Sequence, residues 1–378
     1  MRKKESESKK VSSSLLDRRS FMRTLQAPAA LAVASSLAGQ QIAHADTESS
    51  ARKGILDKAP VVMVWRRVSS LDNTKAFVEK VLRFPRVGLD PTSVMYDAGG
   101  ALVGYAIQEV QPSNDPLYAM CSEVGLQDFA MQNNPASSLV LAPLDFKGAS
   151  KNLFAERNSA TSPLRTQNGE TLSFLDEDGN YTCFQRPSQT ALNGEAGAKL
   201  HSILRNRWAH QREIMTVADE QGAGAKKIEN PMVGINLMVA DVAASSKFYG
   251  EVLGLRQLAS GPNEAKFDVG NLILTLTLEP SNSLVSFLRR SGRLLGDWVV
   301  FWTPEIEARF KELKACGIKF PAGVESSPIG DTAYFNDPDG YSLVLWKPSG
   351  FTKMIDFNPA LNRILKEAGH DMKKTVAI

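Results

Sequence analysis

Two hexapeptides decide the fold: Phe174-Leu175-Asp176-Glu177-Asp178-Gly179 and Phe335-Asn336-Asp337-Pro338-Asp339-Gly340, each entering an apolar strand. A turn phrase used twice in the same setting marks an internal repeat, and repeats take precedence over local readings. Working outward, residues 62–84 align with 233–255 at an offset of about 171, which brings Phe77 onto Phe248 and Val81-Leu82 onto Val252-Leu253. The same offset matches Tyr96-Asp97-Ala98-Gly99 with Phe267-Asp268-Val269-Gly270. Later it falls to about 161, pairing Pro143 with Pro304 and Asp176 with Asp337, so the second copy is shorter in its middle. Copies of roughly 120 to 130 residues are each large enough to bury a core.

Local patterns repeat in the same order. The first copy predicts a strand over 61–67, a helix over 73–82, a hairpin of 92–97 with 101–110, and strands over 138–142 and 182–185. The second predicts a strand over 233–239, a helix over 243–252, a hairpin turning at Gly270-Asn271, a strand over 299–302, and a helix over 305–316 ended by Gly317. Strands over 332–336 and 342–346 close it. Each copy therefore reads as βαβββ repeated twice. Between the copies, 195–218 carries a partial apolar stripe of Leu200, Ile203, Leu204, Trp208 and Ile214, expected as a packed connecting helix. A hinge is expected over 221–227, and a short helix over 359–368.

Composition bounds the function. The 378 residues, 43% hydrophobic and 22% charged, are ordinary for a globular chain of two domains. The net charge of +3 is weak, and much of the basic excess sits in Lys3, Lys4, Lys9, Lys10, Arg18, Arg19 and Arg23, which argues against nucleic acid as a partner. Cys121, Cys183 and Cys316 are too scattered for a disulfide framework or closed zinc site, and are expected as buried free thiols, with a single bridge left open.

The N-terminus reads as an address. Arg18-Arg19-Ser20-Phe21-Met22-Arg23 precedes an Ala-rich apolar stretch and the small-x-small site Ala43-His44-Ala45. It resembles a twin-arginine export signal, which implies the translocation machinery as a partner and a periplasmic or extracellular destination. The apolar stretch is too short to span a membrane comfortably.

The signature Asp241-Val242, Ser245, Phe248-Tyr249 and Val252-Leu253-Gly254, followed by the Asp337-Pro338-Asp339-Gly340 turn, is similar to the glyoxalase, bleomycin-resistance and extradiol-dioxygenase group, the vicinal oxygen chelate superfamily. The resemblance is strong over 230–348 and weaker over 60–188. It implies an α+β fold of two tandem open barrels, each built from paired βαβββ modules. The expected organisation is a signal over 1–45, a flexible segment over 46–58, a first barrel over 59–188, a helical connector over 189–229, a second barrel over 230–348, and a terminal helix and tail over 349–378.

Catalytic members of that group hold a divalent metal in the cup of the barrel, where it chelates adjacent substrate oxygens. At the implied ligand positions this chain has Gly234, Trp298 and Val344 in one copy and Met63, Ser137 and Cys183 in the other. None is a His or carboxylate, so no metal ligands and no cofactor are predicted, with an atypical metal left open. The mature histidines, His201, His210 and His370, fall outside the barrels and are read as solvent-facing. His201 and His210 stand about 13 Å apart along a helix, too far to share one ion.

Strand alternation selects what faces the cups instead. Asn236, Trp298, Trp302 and Trp346 are expected in the second cup, and Trp65 and Arg67, with Gln185, in the first. An aromatic-lined cup suits a small hydrophobic or aromatic compound, and Arg67 a carboxylate or phenolate on it. The competing reading is that the tryptophans fill the barrels as core. The expected function is an exported protein of this fold that lacks the usual metal ligands and binds a small hydrophobic or aromatic compound. The alternative is a dioxygenase-, lyase- or isomerase-type enzyme on a vicinal-oxygen substrate. Homo-oligomerisation is compatible with either.

Overall fold

The structure is a computed structural model that describes residues 54–57, 59–107, 137–156, 162–221, 228–279, 297–350 and 357–370. The expected export signal, residues 46–53, Cys121 and residues 222–227 of the expected hinge lie outside the described residues.

Four modules follow one another. The first holds β1 (Val61–Val68), α1 (Leu71–Phe77), β2 (Arg86–Leu89), β3 (Ser93–Asp97) and β4 (Leu102–Ile107). The second holds β5 (Ser137–Leu141), α2 (Phe146–Glu156), β6 (Leu164–Thr166), β7 (Gly169–Leu175) and β8 (Tyr181–Pro187). A long helix, α3 (Gly194–Gln221), leads to the third: β9 (Met232–Val239), α4 (Val242–Lys247), β10 (Arg256–Ser260), β11 (Glu264–Asp268) and β12 (Ile273–Leu278). The fourth holds β13 (Trp298–Trp302), α5 (Ile306–Ala315), β14 (Glu325–Ser327), β15 (Gly330–Asn336) and β16 (Ser342–Pro348), and α6 (Asn358–Glu367) ends the chain's described part.

The repeat is visible in local chemistry. Ser70 caps α1 by accepting from the Asn73 N–H, and Asp241 caps α4 by accepting from the Ala244 N–H. Each helix then widens into a π turn, over Val78–Leu82 and Phe248–Val252. Those turns put Val78, Val81, Leu82, Phe248 and Tyr249 into the main core beneath the convex faces of the sheets.

The modules form two eight-stranded sheets, in the orders β14-β15-β16-β13-β1-β4-β3-β2 and β10-β11-β12-β9-β5-β8-β7-β6. The α+β fold of two open barrels made from paired βαβββ modules is the one the sequence implied. The partners differ from expectation. Instead of closing each barrel within one repeat, over 59–188 and 230–348, β1 pairs antiparallel with β13, and β5 with β9. Every sheet thus joins one module of each repeat. Duplicated modules offer near-identical edges, so their alignment alone does not choose between them.

The twice-used turn stitches the two sheets together. Asp176 Oδ1 accepts from the Asp178 and Asn180 N–H groups, and Asp337 Oδ1 from the Asp339 and Tyr341 N–H groups. Gly179 and Gly340 close these turns at φ 81° and 84°, in the left-handed region that favours glycine. The next aspartate then reaches the other sheet. Asp178 Oδ1 accepts from Ser69 N at 2.9 Å, beyond the end of β1, and Asp339 Oδ1 from Ala240 N at 2.8 Å, beyond the end of β9.

Both copies also end in the same helix. Leu200, Ile203 and Leu204 on α3 correspond to Leu361, Ile364 and Leu365 on α6, at the offset of about 161 that holds through the second modules. These side chains pack into the concave faces, α3 on the second sheet and α6 on the first. Leu361, Ile364 and Leu365 are wholly buried there. Each such side chain contributes about 1.5–3 kcal/mol of apolar burial. An ion cluster ties the two caps: Arg207 of α3 pairs with Glu367 of α6, and Arg363 of α6 with Asp97 at 2.7 Å.

Candidate functional site

Register fixes which side chains share a concave face. In the first sheet, Met63 stands beside Leu102 and Val300, and Val300 beside Val344. In the second, Gly234 stands beside Ile273 and Val140, and Val140 beside Cys183. These two rows cross the cups at the height where the superfamily's resemblance puts a metal. The residues in register are Val300 and Val140 rather than the expected Trp298 and Ser137. No member of either row is a His or a carboxylate. Cys183 is a buried thiol whose pKa burial pushes up to about 12, so it is held protonated. Among the described residues, no group of three or more His, Cys, Asp or Glu is placed to hold a metal ion. The described residues of these two rows therefore do not fit a divalent metal, and the rows are covered by the apolar faces of α6 and α3.

The four tryptophans named from sequence do meet, but on the first sheet and with β1. Trp65 is opposite Trp298, Trp298 is beside Ser342, and Trp302 is beside Trp346. Trp302 and Trp346 lie under the terminal helix: each is 3% exposed, with the His370 ring 4.7 Å from Trp302 and Phe357 6.4 Å from Trp346. For these two the core reading holds. His370 accordingly packs on an indole rather than facing solvent, whereas His201 is exposed.

Asn236 belongs to the other cup. It lies on β9 between Ser138 and Thr275, and its Oδ1 accepts from Thr277 Oγ1 at 2.7 Å. The sequence reading grouped it with Trp298, Trp302 and Trp346 because all four sit in one repeat. Cross-repeat pairing separates them. Gln185 likewise stands on β8, in the second sheet, away from Trp65 and Arg67.

What remains of the first cup is its end away from α6. Trp65, Arg67, Trp298, Tyr334 and Ser342 are all partly exposed there. The Arg67 guanidinium lies 5.4 Å from the Trp298 ring centroid, a cation–π contact, and Tyr334 meets Trp298 edge-on at 5.6 Å. Beside Trp65 on β4 is Gly104, where a Cβ would come within 2.3 Å of the indole. Glycine there lets the Trp65 ring lie across the neighbouring strand. Two residues missed by the sequence reading, Tyr334 and Gly104, complete this surface. Tyr334 was within reach, since it precedes the repeated turn on a strand whose alternation is regular. The arrangement can stack a planar ring against indoles and set a guanidinium beside its rim.

Residues 232–345 match the model of the Glyoxalase/Bleomycin resistance protein/Dioxygenase superfamily. That match covers less than half of the chain. The glyoxalase-like fold extends over both repeats. A putative dioxygenase from Bacillus subtilis is similar over 84% of this chain and 97% of its own, with a TM-score of 0.51 and 11% identity. A variant of glyoxalase I from Zea mays is similar over 79% of this chain and 97% of its own, with a TM-score of 0.50 and 14% identity. At these identities the likeness is one of fold. No curated protein matches the chain in sequence at a significant level. The glyoxalase-like segment, β9 to β16, contributes one module to each cup.

Proposed function

We propose that the protein is an exported small-molecule-binding protein of the glyoxalase-like fold, which takes a planar aromatic anion in the open end of the first cup without a metal. The observation that carries this reading is the Arg67 guanidinium stacked on Trp298, with Trp298 facing Trp65 across the strand pair. A ring gains contact area on rigid indoles, and an acidic substituent gains a charge-assisted partner from arginine. The paired arginines Arg18-Arg19 and the Ala43-His44-Ala45 site support export.

The test uses 8-anilinonaphthalene-1-sulfonate, a planar aromatic anion, titrated against the folded protein by fluorescence. Arg67→Ala is expected to weaken binding about tenfold or more, the scale of one charge-assisted hydrogen bond. Trp298→Ala is expected to weaken it further. Equal affinity in both variants and the parent would overturn the reading.

A further inference from the structure

The two cups occupy equivalent positions in the repeat, so they can be compared residue by residue at the row beyond the helix caps. In the first cup that row reads Met95, Gly104, Trp65, Trp298 and Ser342. In the second it reads Lys266, Thr275, Asn236, Ser138 and Tyr181. Asn236 stands where Trp65 does, Ser138 where Trp298 does, and Lys266 where Met95 does. The first cup has kept ring-stacking surface at this height; the second has put hydrogen-bonding groups at all five positions.

One residue further along the same face is Glu264, paired in register with Thr277. Its Oε1 takes the Lys266 ammonium at 2.8 Å, while its Oε2 is buried with no hydrogen-bond partner. A buried carboxylate oxygen left unpaired is costly, and it calls for a donor from a water or a ligand. Burial raises the pKa of the Glu264 carboxyl, with Lys266 opposing. The neighbouring Thr277 hydroxyl is already committed to Asn236 Oδ1.

We propose that the concave face of the second sheet is a second binding site, for a small uncharged polyhydroxylated molecule held by Glu264, Lys266, Asn236 and Thr275. The class follows from the charges and valences present. Glu264 and Lys266 neutralise one another, so the site carries little net charge to hold an ion. It offers one unmet acceptor, Glu264 Oε2, together with donors on Lys266, Asn236 and Thr275. A hydroxyl serves in both senses, as donor to the carboxylate and acceptor from the ammonium and amide. The row has no indole, and its one ring, Tyr181, is buried against Leu175 and Cys183 rather than offered to an aromatic ligand of the first-cup type.

The test titrates the full chain with myo-inositol, sorbitol and glucose as probes, using calorimetry and saturation-transfer NMR. At least one probe is expected to bind the parent, and Glu264→Ala to weaken it about tenfold or more. Asn236→Leu, which keeps volume and removes the amide, is expected to weaken it as well. Anilinonaphthalene-sulfonate binding at the first cup reports in parallel that each variant is folded, and is expected to be unchanged. Failure of all three probes to bind the parent, or binding indifferent to both substitutions, would overturn the second site. Neither result bears on the first cup, whose reading stands or falls with the Arg67 and Trp298 variants.

Discussion

Trp65 of the first repeat lies directly opposite Trp298 of the second, in the antiparallel pair of β1 with β13. The aromatic cup is thus a joint product of the two repeats, and neither copy holds it alone. Gly104 makes room for it on the flanking strand, since a Cβ there would overlap the Trp65 indole. Gly104→Ala is expected to push that ring aside, lowering stability by about 1–3 kcal/mol as an overpacked site does. Urea denaturation measures the loss, and dye titration is expected to show weaker binding in the same variant.

The repeated turn predicts a second pair of effects. Asp339 is 3% exposed and accepts from both Ala240 N and Ser245 Oγ, the latter at 2.6 Å. Asp339→Ala strands those donors and is expected to cost about 3 kcal/mol. Asp178 holds Ser69 in the same way at a more exposed place, so Asp178→Ala is expected to cost about 1 kcal/mol. Chemical denaturation of the two variants side by side tests the order as well as the sizes.

If α3 and α6 are the same cap used twice, equivalent truncations should behave alike. Leu200→Ala and Leu361→Ala remove corresponding side chains, each buried in a concave face. Each is expected to cost about 2–5 kcal/mol, the range for leucine removed from a core. A thermal or urea midpoint that falls for only one of them would contradict the equivalence.

Asp176 gives a pH signature. Burial raises its carboxyl from 3.8 to about 6, with Arg66 and the Asn180 hydrogen bonds opposing. A carboxyl whose pKa is higher folded than unfolded holds more protons in the folded state between those values. Its contribution to stability therefore falls as pH rises from about 4 to about 6, and is level above that. Urea midpoints measured across this range are expected to carry that slope, and Asp176→Asn to remove it.

Much of this molecule was legible in its sequence, and the limits have physical causes. The paired hexapeptides and the two offsets located the modules because turn chemistry and strand periodicity are local. Which module pairs with which is a property of edges in space, so Asn236 was grouped with Trp298 when it sits in the other cup. The terminal caps left a readable trace: Leu200-His201-Ser202-Ile203-Leu204 beside Leu361-Asn362-Arg363-Ile364-Leu365 continues the offset of about 161. Without that match, Trp302 and Trp346 read as cup lining, whereas α6 makes them core. Tyr334, one strand away from the implied ligand positions, carried no motif of its own.

Thiol chemistry separates buried from exposed sulfur. Cys183 is 2% exposed with its pKa pushed up to about 12, while Cys316, expected to be buried, is exposed after α5. Iodoacetamide at about pH 8 is expected to label Cys316 and spare Cys183 until denaturant is added, because the thiolate is the reacting form. Peptide mass mapping before and after unfolding checks it.

On the proposed function, ligand recognition in the first cup rests on indoles and a guanidinium rather than on a metal. Native mass spectrometry of the folded protein, taken with and without a chelator, tests it most directly. The predicted result is a mass with no stoichiometric divalent ion, and dye affinity at the first cup unaltered by chelation. A stoichiometric ion whose removal abolishes that binding would overturn a metal-free first cup.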